Sequence, residues 1–203
     1  MYNFTVPMAL MDFVPVAFFG IAAFFLQRDL YNKMSRSHFA LFAAGTINIF
    51  AAGFLKALWK LLYAAGICDF QALNTMFLPV QSIGFLLAGI GIALMLTNQR
   101  SVVLTAAPAV FSGSVVFILM MVLGLGSICA VLSILAVKMK KKTAMILFVL
   151  SFLASMGMGA MSGQDSTQAW VNWTEQTINC VGQGLLMWGV LILHRAGLKE
   201  LKL

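Results

Sequence analysis

Carboxylates are scarce in this sequence: six Asp and Glu stand against 13 Lys and Arg in 203 residues. With 9% of positions charged and 62% hydrophobic, there is too little polar side chain to cover a water-soluble fold of this length. Cysteine is rare as well. Cys68, Cys129 and Cys180 form no CxxC pair and no zinc spacing, so nothing implies a disulfide framework. Two of them lie in apolar runs, where a free thiol behaves as a small hydrophobe. The two histidines, His38 and His194, fall at the ends of apolar runs, and no HExxH occurs. A catalytic zinc therefore lacks its ligands. A Gly-x-Ser-x-Gly elbow and a phosphate-binding glycine-rich loop are also missing. The expectation is a protein that is not an enzyme and carries no cofactor or metal. Long polar stretches are missing too, which leaves no room for a second, soluble domain.

What the chain has in plenty is apolar runs of about 20 residues, the length that crosses the hydrocarbon core of a bilayer. They predict an all-α, polytopic transmembrane bundle, a single integral-membrane domain over residues 1–203. Seven spans are expected, near 6–26, 38–62, 76–97, 101–123, 127–137, 143–161 and 170–194. The first run is followed, not preceded, by basic residues (Arg28, Lys33, Arg36), unlike a cleavable signal peptide. It is expected to be retained, with the N-terminus outside and the C-terminus cytoplasmic. Arg100 and the cluster Lys138, Lys140, Lys141 and Lys142 then belong to the cytoplasmic side as well. An even number of crossings must separate them, hence a hairpin, with its turn placed at the breaker residues Gly124 to Ser127. Every Lys and Arg except Lys56 and Lys60 falls on the cytoplasmic side in this scheme, so the charge of +7 is a topology signal and not a nucleic-acid footprint. A cell (plasma) membrane is the expected location.

The last span is the informative one. Gln168, Asn172, Glu175, Gln176, Asn179 and Gln183 fall within an arc of about 100° on a helical wheel, with Trp170, Ile178, Val181, Leu185 and Trp188 on the other side. In so apolar a chain the polar face must meet other helices or a cavity. Asp12 on the first span, Lys56 on the second, Gln81 on the third and Glu175 on the last each lie some six residues inside their outer boundary, roughly 9 Å deep. Charges at such depth cost about 2.5–3.5 kcal/mol and usually pair or line a wet cavity. Asp12 is expected to pair with Lys56, because the first two spans are joined by a short loop. Lys60 is expected to snorkel outward. That leaves a site with one net negative charge, Glu175 as its proton- or ligand-responsive group, and Asn172 and Gln176 to orient a ligand. The alternative is that the amides are interhelical glue, worth about 0.6–2 kcal/mol each.

Pro15, Pro79 and Pro108 sit inside the first, third and fourth spans, where a missing N–H opens or kinks a helix. Gly84, Gly89 and Gly91 would let a neighbouring backbone approach closely, and Ser151, Ser155, Gly159 and Ser162 form a small-residue seam on the sixth span. The N-out, seven-span arrangement is similar to that of microbial rhodopsins in topology alone, since the last span holds no lysine that could carry retinal. No repeat of three-plus-one-plus-three type is evident. The reading favoured by the broken helices is a small-solute transporter or permease. Its pocket, open to the outside, lies between the first, second, third and last spans and takes a cationic or zwitterionic small molecule or ion. Two alternatives use the same residues: a seven-helix sensor signalling through a membrane or cytoplasmic protein partner, and an accessory subunit held together by the polar stripe.

Overall fold

The computed structural model describes residues 4–97, 114–161 and 168–201. All regular structure among them is helical: α1 (Val6–Met11), α2 (Phe13–Leu30), α3 (Arg36–Ala64), α4 (Gln71–Thr75), α5 (Phe77–Leu94), α6 (Ser114–Lys138), α7 (Lys142–Met161) and α8 (Ala169–Arg195). Five stretches are long and apolar enough to cross a bilayer: Val6–Lys33, Arg36–Ala64, Gln71–Leu94, Val115–Lys138 and Ala169–Arg195. The apolar α7, 20 residues long, accompanies them.

Proline decides where two of these stretches break. Pro15 is the third residue of α2 and Pro79 the third of α5, and a single non-helical residue, Asp12 or Met76, precedes each helix. A proline lacks the N–H that would bond four residues back, so the chain restarts its helix where the first-turn donors need no partner. The breaks come out alike: α1–Asp12–α2 and α4–Met76–α5 both run beside α3.

The long helices pack in the order α2, α3, α5, α6, α7, α8, and α8 closes the ring on α2. Residue pairs give the directions. Asp12 meets Lys60 and Gln27 meets Thr46, so α3 opposes α2. A Cβ on Gly91 would lie 2.6 Å from Phe42 N, while Gly45 faces Gly84 and Ala88, so α5 opposes α3. Phe148 lies against Gly189 and Ser151 against Gly182, so α7 opposes α8. Phe18 lies against Gly184 and Asp29 bonds His194, so α8 runs parallel to α2. The tight turn at Met139–Lys141 reverses α6 into α7. Consequently α5 and α6 run the same way. One end of the bundle collects Arg28, Lys33, Arg36, Lys138, Lys142 and Arg195; the other carries Phe4, Trp59 and Tyr63.

The expected hairpin turn at Gly124 to Ser127 is not there, and 127–137 is not a separate span. A single helix, α6, runs through both. The glycines serve contact instead of turning: a Cβ on Gly89 would lie 2.6 Å from Gly124 O, and Gly126 faces the Phe152 ring. Ser127 is satisfied within the helix, its hydroxyl donating to Leu123 O at 2.7 Å. The part of the expected 101–123 span before Ser114 lies outside the described residues, as do Arg100 and Ser162. The seam on α7 is present at Ser151, whose Oγ donates to Gly182 O at 2.8 Å, and at Ser155 beside Gly182. The densest apolar core, with Leu30, Ile92, Leu132, Leu135, Phe148 and Leu193 fully buried, fills the basic half of the bundle.

Candidate functional site

The opposite half is hollow. A cavity of about 280 Å³ opens among α2, α3, α5 and α8, lined by residues from Phe4, Trp59 and Asn74 near the end of the bundle down to Phe19, Phe85, Met121 and Gln183. Phe19 and Phe85 meet edge to face, ring centroids 6.4 Å apart, and belong to the core below.

Eight of the nine polar residues singled out in the sequence line this cavity: Asp12, Lys56, Gln81, Asn172, Glu175, Gln176, Asn179 and Gln183. Five come from α8, whose outer face is unmistakable: Trp170, Trp173, Val181 and Trp188 are exposed, whereas Asn172 and Gln176 are each 4% exposed. Gln168 does not join the stripe; it is exposed at the helix start, where its Oε1 accepts from Trp170 Nε1 at 2.6 Å. Asn172 Nδ2 donates to Gln168 O at 3.3 Å. Neither amide atom of Gln176 has a hydrogen-bond partner among the described residues, and neither does Gln183 Oε1. A buried amide left unmatched costs free energy in a dry setting, so these groups suit a site that fills with water or ligand.

The charge pairing differs from the expectation. Asp12 pairs with Lys60, Oδ2 to Nζ 2.9 Å, and not with Lys56. Lys60 does not snorkel: it is 6% exposed, and its ammonium lies over the Phe4 ring, 4.7 Å from the centroid. The cause is the break at Asp12, which turns this carboxylate toward the last turns of α3. Phe4 closes over the pair, edge to face with Trp59 and Tyr63 at 5.8 Å each. Lys56, one turn deeper, places its ammonium over the Phe77 ring at 4.0 Å. Neither Lys56 nor Glu175 has an oppositely charged group within 4.0 Å among the described residues, although Asp12, Lys60 and Glu175 all lie in Coulombic reach of Lys56. With Lys60 turned inward, the site holds two carboxylates and two ammonium groups and is neutral in sum, not negative.

A second polar cluster, unmarked by any motif or spacing in the sequence, lies at the basic end. Asp29 is 2% exposed; its Oδ2 meets His194 Nδ1 at 2.7 Å and its Oδ1 accepts from Arg28 Nε at 3.3 Å. Phe25 lies against the His194 ring at 4.6 Å. The cluster ties α2 to α8 below the cavity, and Lys33 adds a bond from its ammonium to the Leu201 carbonyl. Only the spatial meeting of residues 165 apart reveals it. Among the described residues no group of three His, Cys, Asp or Glu could hold a metal ion.

Apolar helices of this length and number fit a multi-pass membrane protein. No protein-family model matches the chain, and no curated protein or solved structure matches it.

Proposed function

We propose that the protein is a non-enzymatic small-solute transporter or permease of the cell membrane, with its site in the cavity between α2, α3, α5 and α8. One observation carries the reading. Eight polar residues from four segments far apart in sequence converge on a single cavity, and the buried Gln176 amide there has no partner among the described residues. Pure interhelical glue would have matched its amides to one another. Two broken helices flanking the same cavity add support, since discontinuous helices place free backbone groups at transport sites. On the positive-inside rule the basic end faces the cytoplasm and the cavity opens outward, N-terminus outside and C-terminus inside. Seven spans in all belong to this reading, in keeping with the shared direction of α5 and α6. The partners this reading requires are the lipid bilayer and a small-molecule ligand.

Uptake by purified protein in proteoliposomes tests it. Time-dependent accumulation of a solute, lost in Gln176→Leu, is the expected result. Saturable binding without accumulation would make the protein a sensor that acts through a partner. Neither binding nor accumulation across a broad solute panel would leave an accessory subunit.

A further inference from the structure

We infer that the cavity takes a zwitterionic, amino-acid-like solute, its carboxylate on Lys56 and its ammonium on Glu175. This rests on the reading of the cavity as a solute site and names what enters it.

Asp12 and Lys60 also line the cavity, but they neutralise each other at 2.9 Å and so present no net charge to a ligand. Lys56 and Glu175 remain, one cation and one anion, both lining the cavity, on α3 and α8 respectively. Lys56 is held over Phe77, which satisfies one face of the ammonium and leaves its other donors directed elsewhere. A cationic solute would be matched at Glu175 but opposed by Lys56, and an anionic one the reverse. A solute carrying both charges meets both, each through a charge-assisted hydrogen bond. The Gln176 amide, buried in the same wall and without a partner among the described residues, offers a donor and an acceptor to the solute's polar end. The cavity is about 280 Å³, at or below the small end of ligand sites, and Phe19, Phe50, Phe77 and Phe85 line its apolar side. That combination suits a small molecule with a dipolar head and an apolar side group.

The experiment uses the full chain in lipid nanodiscs and three matched series of probes. The zwitterions are glycine, leucine and phenylalanine; the cations are their amides; the anions are the corresponding acids without the amino group. Equilibrium binding is measured by calorimetry and by ligand-induced thermal stabilisation. At least one zwitterion is expected to bind at least about tenfold more tightly than its amide and its acid, the loss of one charged hydrogen bond. Glu175→Gln should make that zwitterion and its acid bind alike, and Lys56→Gln should make it and its amide bind alike. Lys56→Arg, which keeps the charge, should retain the preference and so separates recognition from folding. A cation that binds as tightly as its zwitterion overturns the inference, as do charge-removing variants with unchanged preference. Failure of all three series also overturns it. In that case the pocket itself is judged separately, by thiol labelling of Asn179→Cys, which reads access to water whatever the ligand.

Discussion

Lys56 and Lys60 lie one turn apart on α3 and meet different surroundings. Lys60 is neutralised by Asp12, while Lys56 rests on an aromatic face. Breaking the Asp12–Lys60 pair leaves a buried ammonium without its counter-charge. Asp12→Asn should therefore cost roughly 3–5 kcal/mol, nearer the lower figure because the Asp12 side chain keeps 18% exposure. Adding Lys60→Met to Asp12→Asn should restore most of the loss, since a matched apolar replacement strands no charge. Thermal unfolding in detergent measures both, and an additive double variant would remove the pair from the account. Eight of the ten charged or amide side chains that line the cavity were legible in the sequence, because a polar side chain stands out in an apolar span and the membrane penalises it; Lys60 and Asn74 were not. The partner of Asp12 was not. Pairing depends on how the break turns the chain, and a short connecting loop says nothing about which of two lysines one turn apart faces inward.

At the scale of elements, α8 divides its two faces more sharply than the other helices. Leucine at Asn179 should impair folding or uptake, by removing a polar group from the cavity wall, whereas leucine at the exposed Val181 should be tolerated. Uptake and unfolding temperature of the two variants give the comparison, and equal tolerance would make the stripe incidental. The seams between helices rest on glycine. Gly89→Val must push against Gly124 backbone, 2.6 Å from an added Cβ, whereas a Cβ on Gly157 meets nothing within 4 Å. Gly89→Val should lower the unfolding temperature and Gly157→Val should not, as circular dichroism on heating will read. The same chemistry explains the misplaced hairpin. Gly124, Gly126 and Ser127 are breaker residues in water, but within an apolar helix they allow close packing. Such a run is apolar on all sides, so periodicity offers no correction. Boundaries elsewhere were close: 38–62 against Arg36–Ala64, and 170–194 against Ala169–Arg195.

The whole molecule is solid at its basic end and hollow at the other. Buried Asp29, with His194 and Arg28 on its carboxylate, and the core around Leu135 and Leu193 close the basic half, while the cavity occupies the half capped by Phe4 and Trp59. That polarity lay partly in the sequence, through the gathering of Lys and Arg at span ends, but no motif or spacing pointed to Asp29. Orientation follows from native and introduced thiols. Cys68, exposed in the turn after α3, should react with an impermeant reagent added to intact cells, and Lys140→Cys should react only after permeabilisation. Reaction from the same side would contradict the arrangement of the helices.

The proposed site is a water-accessible pocket, entered from outside, behind the apolar outer face of α8. Labelling of Asn179→Cys against Val181→Cys, in a background freed of the three native cysteines, tests it most directly. A small, charged thiol reagent added outside is expected to modify Asn179→Cys and to spare Val181→Cys, on the exposed apolar face of α8. A silent Asn179→Cys beside a reactive Val181→Cys would contradict it.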